Sequence, residues 1–461
     1  MRPHITRILG FFGAAIVLGL QSCTKDLLEV NDPDIILEET LKASSASGAI
    51  GIHNGAIFRL EQATAGTQGP DALFVFGGLL TDEWQSGDTF IQRNTMDQRI
   101  WNPKNTFNAG PYRNLNRVRV LAEGAITGLR EFKPTPASNI GRMFAFIGYV
   151  EALMGEHYCN GTPISSLQGS TIIPGDPISN DSMFTLAIAN TDSALANVGG
   201  GDSAKVASLA LVVRGRALLD RGQFALAAAA VAAVPDNFRY DVEYSVATID
   251  NQIWALNTSA RRYTLANTEG GNGLNYRAAN DPRIPTWVGT GSANRIFDTS
   301  FPLQVVRQGL WGRETAIRIA TGIEARLIEA EAALQAADAA TWLAKLNQLR
   351  ANSALLPTPV DTVYRPRAGT TLAPLVDPGP SPNDSLRVDL MFRERAFWMF
   401  GTGHRLGDMR RLLRQYGRNA EQVYPTGAWF KGGNFGDAIQ MPVPVEEQNN
   451  PRFVACMDRL P

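Results

Sequence analysis

Cysteine, histidine and net charge are all scarce in this chain. Its 461 residues include three cysteines and four histidines, and the formal charge at neutral pH is −1. A charge so near zero argues against nucleic acid as a partner. His53, His157 and His404 stand apart, with none of the short spacings that hold a metal, and His4 lies in the leader described below. Sequences of the G-x-S-x-G, Walker or H-E-x-x-H type are missing. Asp82-Glu83, beside Trp84, is the one acidic pair next to an aromatic. Neighbours on a strand or helix do not face each other, so this pair cannot flank one glycosidic bond as two catalytic carboxylates must. The chain therefore reads as a non-enzyme, with no catalytic residue, metal or cofactor expected. Long apolar runs are also absent after residue 20.

What is present begins with that one run. Arg2, His4 and Arg7 precede Ile8–Leu20, 13 almost wholly apolar residues. A membrane-spanning helix needs roughly 20, so the stretch reads as the core of a secretory signal. It ends at Leu20-Gln21-Ser22-Cys23, which resembles a lipobox, the processing site of bacterial lipoproteins. The resemblance implies a signal peptide over residues 1–22 and a lipidated Cys23 that anchors the mature chain in a membrane. One acyl chain holds only marginally at about 0.8 kcal/mol per buried CH₂, whereas several hold firmly. The alternative is an ordinary core cysteine behind a signal peptide. Cys159 and Cys456 then remain. In an exported protein they either pair as a disulfide or stay as two buried thiols.

Residues 23–40 read as a short tether. Behind it, 44% hydrophobic and 19% charged residues give a globular composition with ample length for a large core. Helical spacing appears over 41–63, 111–130, 139–156 and 181–197, the last with Asp181 or Ser182 as a cap. Residues 205–234 form two helices around Asp220-Arg221-Gly222-Gln223. Leu211, Gly215, Leu218, Gly222, Phe224 and Ala227 match a tetratricopeptide helix pair, with any αα-hairpin as the plainer reading. Residues 314–350 and 385–415 suggest two further pairs. In the last, Leu386, Leu390, Phe397 and Phe400 form an apolar stripe that includes Arg393. A guanidinium there calls for Glu324, Glu329 or Glu331 as partner. Gly401 and Gly403 break the helix. Loop-rich stretches lie at 241–310, at 355–384 with seven prolines, and at 425–461.

Arg393-Glu394-Arg395-Ala396, Gly403-His404-Arg405 and Asp408-Met409-Arg410 together resemble the C-terminal signature of the SusD/RagB family of outer-membrane lipoproteins. Ala396 and Gly407 depart from it. "GGLLTDEW" (77–84), "ARLIEAEAAL" (325–334), "LNQLRA" (346–351) and "MPVPVEEQNNP" (441–451) are similar to further family segments, in the right order. The resemblance implies a mainly α fold: a single α-rich domain with tetratricopeptide-like helix pairs and long loop insertions. Its N-terminal helical half would span residues 41–240. Its C-terminal half, residues 241–461, would hold the loop-rich ligand region.

The resemblance also implies a function. Family members sit at the cell surface in the outer membrane as lids over a SusC-like TonB-dependent β-barrel transporter. They capture nutrient glycans, or oligopeptides, and deliver them to that barrel. Sugar capture needs aromatic faces beside polar groups. Trp84, Trp101, Trp287 and Trp311 lie in loop-like stretches and are the expected ligand residues. Phe90, Asp88, Arg93 and Asn94 accompany the first two. Trp342 and Trp398 fall inside helices and read as core, and His404 as structural. The rival reading is a tetratricopeptide-type lipoprotein scaffold for outer-membrane protein assembly. The long Pro- and Gly-rich loops favour capture.

Overall fold

Apolar residues recurring at helical spacing produce the helices that dominate the molecule. The computed structural model describes residues 43–66, 71–168, 171–360 and 372–461. Cys23 and the tether lie outside them. The helices are α1 (Ala46–Thr64), α2 (Leu73–Phe76), α3 (Ile91–Asp97), α4 (Ala109–Phe132), α5 (Ser138–His157), α6 (Asn180–Leu195) and α7 (Ser203–Asp220). They continue as α8 (Phe224–Val231), α9 (Gly322–Gln335), α10 (Ala339–Ala351), α11 (Ser385–Trp398), α12 (Arg405–Tyr416) and α13 (Ala420–Val423). Among the described residues, none is long and apolar enough to cross a membrane. Ser45, Thr321 and Asp338 cap α1, α9 and α10 by accepting the otherwise unpartnered first-turn N–H three residues on. The cap of α6 is Ser179, ahead of the expected Asp181 or Ser182, because its extended backbone lets the hydroxyl reach Ser182 N at 3.1 Å.

Helices stack in chain order: α1 on α4, α4 on α5, and so on through α6, α7, α8, α9 and α10. In the α7–α8 pair a methyl on Gly215 would lie 2.4 Å from Val231 Cγ1, so a side chain there would force the helices apart. The fold is mainly α, with tetratricopeptide-like pairs and long loops, as the sequence predicts. Among the described residues the strands are short and form five two-stranded antiparallel ribbons. These pair β1 (Trp84–Ser86) with β7 (Tyr263–Leu265), β2 (Thr162–Pro163) with β5 (Pro177–Ile178), and β3 (Ser166–Gln168) with β4 (Thr171–Ile173). The remaining two join β6 (Arg239–Val242) to β10 (Ile317–Thr321) and β8 (Thr286–Val288) to β9 (Val306–Gln308). The strand β10 occupies residues that the sequence assigns to a helix beginning at 314. Its Ile317-Arg318-Ile319 alternation has period two, and β6 supplies the partner.

The described parts of the Pro-rich stretch, 355–360 and 372–384, contain no α-helix. The C-terminal segment returns to the end of α5. Cys159 N donates to Met441 O at 3.0 Å, and Met441 N to His157 O at 2.7 Å. There Cys159 and Cys456 form a disulfide with Cα atoms 5.9 Å apart.

The buried face of helix α11 is centred away from the expected stripe, of which Phe397 and Phe400 are buried and Leu390 half-buried. Leu386 is 50% exposed, and Arg393 bonds Asn275 and lies against the Phe397 ring rather than meeting a glutamate. Val388, Met391, Phe392 and Arg395 are the buried i, i+3, i+4 set. Arg395 is thus the inward guanidinium, and it meets Asp408 at 2.9 Å and Glu331 at 3.8 Å. Arg411 bonds the same two carboxylates. Asp82 takes Arg405 through both oxygens at 2.6 and 2.8 Å. Glu156 takes Arg216, and His404 sits 3.0 Å from Glu324, a structural role as expected. Gly407 is one of the two departures from the signature that the sequence resembles. A methyl there would come within 3.0 Å of Glu156, so the missing side chain makes room for that carboxylate.

Two outcomes follow from this buried network. Asp408→Asn leaves two buried guanidiniums under-neutralised and should cost about 3–5 kcal/mol in denaturant unfolding. Arg452→Ala, in the exposed pair with Asp176, should cost under about 1 kcal/mol. Equal effects would contradict the assignment. Glu83 differs from its neighbours, because burial pushes its carboxyl up to about 8, and Gly401 N donates to it at 2.9 Å. The folded chain therefore holds a proton that the unfolded chain releases near 4.5. The stabilisation is complete below about 4.5 and is lost as pH rises to about 8. Glu83→Gln keeps the acceptor oxygen. Its stability should equal that of the parent near pH 4 and exceed it at pH 8.5, and parallel pH profiles would refute the shift.

Candidate functional site

The candidate surface forms where the β1–β7 ribbon ends. Ser86 pairs with Tyr263, so Gly87-Asp88 and Arg261-Arg262 lie side by side just beyond it. The loop 295–298 crosses that end. Phe297 N donates to Arg261 O at 2.9 Å and Asp298 N to Gly87 O at 2.8 Å. A methyl on Gly87 would meet Ile296 at 2.9 Å and Arg261 O at 3.0 Å, so only glycine admits so close a crossing.

Asp88 is the electrostatic anchor. Its buried carboxylate accepts from Arg93 and from Arg262 Nη1. Arg93 is held on its other side by Asp71, at 2.7 and 2.5 Å. Fixed in this way, the Arg262 guanidinium lies 3.8 Å from the centre of the Phe297 ring and 4.9 Å from that of Phe90. Those rings are 38% and 44% exposed, so each keeps apolar area open to solvent beside the cation. Lys431 Nζ donates to Asp298 and Asn94, both at 3.1 Å, and to the Asp88 carbonyl. It also lies near the Phe301 and Phe430 rings. Beneath this layer Trp429 Nε1 donates to Asp97 at 2.8 Å, which ties the 427–434 loop to α3. The arrangement offers apolar ring area and, beside it, the partly exposed Arg262 guanidinium and Asn94 amide for hydroxyl groups, while Lys431 and Asp298, 4% and 12% exposed at their side chains, brace it from within.

The four tryptophans singled out by the sequence do not gather here. Trp84 is 1% exposed and Trp311 7%, so neither ring can reach a ligand. Trp84 packs between Phe400, at 5.2 Å, and Tyr263, at 6.4 Å. Trp311 is covered by the Gly401 turn, where a methyl would lie 2.9 Å from its ring. Trp101 and Trp287 are half-buried, and each has a guanidinium over its ring, Arg459 at 4.4 Å and Arg307 at 4.8 Å. Trp287 lies on the β8–β9 ribbon, which joins β7 through Val306 N and Thr264 Oγ1 at 2.8 Å. Trp101 follows α3, whose first turn carries Arg93. Trp287 is thus joined to the surface only through its ribbon, and Trp101 lies past the far end of α3. Asp82 and Glu83 are committed to Arg405 and Gly401. Sequence reading noticed Phe90 and passed over Arg262, Phe297, Phe430 and Lys431. No local pattern marks them, since they meet only through the ribbon and two crossing loops.

No family model matches the sequence, and no curated protein matches it. Solved structures do. A SusD superfamily protein from Parabacteroides distasonis superposes with a TM-score of 0.62 at 12% identity, covering 90% of this chain and 99% of its own. The surface glycan-binding protein A from Bacteroides uniformis gives 0.60 at 14%, covering 89% and 99%. A SusD-like carbohydrate binding protein from Bacteroides vulgatus gives 0.57 at 14%, covering 80% and 83%. At these identities the likeness is one of architecture, and it extends over nearly the whole described body: the chain has the SusD-like fold.

Proposed function

We propose that this protein captures nutrient glycans at the bacterial surface. The observation that carries the reading is the pair of outward phenyl rings flanking Arg262. They lie on a fold shared with proteins named for carbohydrate and surface-glycan binding. A sugar presents an apolar face of C–H groups and a rim of hydroxyls. Phe90 and Phe297 match the face, while the partly exposed Arg262 and Asn94 match the rim. An oligopeptide has no such face in every unit, so the surface favours glycan.

The remaining steps belong to the same proposal. Lipidation of Cys23 would hold the body at the outer membrane, facing outward. A SusC-like TonB-dependent barrel would receive the captured glycan. Affinity purification of the tagged full chain from detergent-solubilised outer membranes should recover such a barrel at a roughly equal molar ratio. Recovery of an assembly machine in its place would move the scaffold reading to the front.

Glycan-array screening followed by calorimetry tests the capture step. Phe90→Ala and Phe297→Ala should each weaken binding of the best glycan about three- to tenfold, the worth of one stacked ring. Trp342→Phe, in the core, should leave affinity unchanged. Full affinity in both phenylalanine variants would refute this surface as the site.

A further inference from the structure

Ring faces alone do not choose among sugars, but the charge around them does. The chain as a whole carries −1, yet residues 255–310 hold six arginines and no lysine against two aspartates and one glutamate. Asp281 is committed to Arg283, whose fork meets it at 2.9 and 2.7 Å. Asp298 accepts from Lys431 at 3.1 Å. Glu269 is buried, and burial, with Asp97 adding to it, pushes its carboxyl well above the usual range, so it supplies no countercharge near neutral pH. Positive charge is therefore in excess in this segment. The excess falls at the end of the β1–β7 ribbon. The carboxylates there, Asp71 and Asp88, are matched by Arg93 and Arg262. Arg261 and Arg295 remain, both half-buried. Arg261 donates only to carbonyls, those of Ala293 at 2.8 Å and Arg295 at 3.2 Å. Among the described residues, no carboxylate pairs with either guanidinium.

Backbone geometry sets one of these cations beside a stacking ring. Residues 295–297 run extended: Arg295 has φ −71° and ψ 157°, it bridges Gln304, and Ile296 N donates to Leu303 O at 3.1 Å. Alternate residues of an extended chain share a face. Ile296 is fully buried, so Arg295 and Phe297 share the opposite face, about 6.6 Å apart along the chain. Arg262 lies against the same Phe297 ring, and Arg261 precedes it. A sugar stacked on Phe297 directs its ring-edge substituents sideways, toward these guanidiniums. Hydroxyls do not need so much uncompensated charge beside them. A carboxylate or sulfate at the ring edge does, and a guanidinium fork meets two of its oxygens in parallel.

We infer that the aromatic surface takes acidic glycans, sugar chains whose rings carry a carboxylate or a sulfate at the edge. The inference rests on the capture reading and names the class of glycan within it. Phe90 and Phe297 supply the apolar contact, and Arg261, Arg262 and Arg295 select for the charge.

Calorimetry on the full chain tests it with a panel of short oligosaccharides: galacturonate and guluronate chains for the carboxylate, a sulfated galactan for the sulfate, and galactan and mannan for the neutral case. An acidic probe should bind, and its neutral counterpart, the methyl ester or the desulfated chain, should bind at least about tenfold more weakly. Raising the salt from about 50 to about 500 mM should weaken the acidic probe about five- to tenfold, because partly exposed charges are screened. Arg295→Gln should cost about three- to fivefold against the acidic probe and leave the neutral one unchanged. Arg295→Lys, and Arg261→Lys at the site that also props the 293–295 turn, should both stay within about twofold of the parent, since the charge is kept. Preference for uronate or for sulfate would identify the anion, and either supports the inference. A neutral probe bound as tightly as the acidic one, and still weakened by Phe297→Ala, would overturn the inference and leave the capture reading standing. Failure of every probe, acidic and neutral, would overturn both. Single-stranded oligo(dT) bound as tightly as the best acidic glycan would show a general polyanion surface and overturn the inference too.

Discussion

Buried arginine is the constraint on which the rest of the structure depends. Helix α12 sends Arg405, Arg410 and Arg411 inward, and Arg395 and Arg216 join them from α11 and α7. Removing the partner of a buried ion costs about 3–5 kcal/mol, so each guanidinium dictates where an anion or a set of carbonyls must stand. Arg411 and Arg395 share Asp408 and Glu331, which locks α12 to α11 and α9. Arg216 and Glu156 lock α7 to α5. Arg410 uses no carboxylate. It donates to the carbonyls of Gly155, Glu156 and Tyr158, which the end of α5 leaves without helical partners. Burial pulls its pKa down to about 10, so it stays charged at neutral pH and suits the negative end of that helix.

This hub reaches the aromatic surface through one short path. Arg405 grips Asp82 through two hydrogen bonds, and Glu83 accepts from the Gly401 turn. Trp84 is thereby fixed in the core at the start of β1, and the register of β1 on β7 sets where Asp88 and Arg262 emerge. Asp88 then holds Arg262 between Phe90 and Phe297. Rings on loops gain affinity only if their positions are settled before binding. Here a chain of ion pairs and backbone hydrogen bonds settles them from within.

The same contrast explains what could be read from the residues alone. Helices α4, α5, α7 and α9 announce themselves by period, and Gly215 by the close approach it permits, because those signals lie within one helix or pair. Arg393 was the wrong arginine of its helix because the stripe counted from Leu386 started on an exposed residue. The face is set by Glu331 and Asp408, which lie on other helices. Trp84 and Trp311 sit in loop-like sequence yet are buried, since Phe400, Tyr263 and the Gly401 turn close over them from afar. Aromatic residues in loops mark a binding surface only when nothing distant covers them. Phe297 meets that condition, and its neighbours in sequence give no sign of it.

Helix-pair geometry and a buried polar hub constrain few positions and leave the surface loops unconstrained. That accounts for superposition over 90% of the chain at 12% identity with a protein of the same architecture. A helix face tolerates exchange among aliphatic residues of similar volume at a cost under about 1.5 kcal/mol. A hub arginine tolerates little, because its partner would be left charged and dry. The loops that end on Phe90, Phe297 and Phe430 meet neither restraint beyond their pinned bases. Ring identity and spacing can therefore change there without disturbing the helices beneath. On the proposed reading, specificity would lie in those outermost few side chains, and the hub supplies the rigidity beneath them.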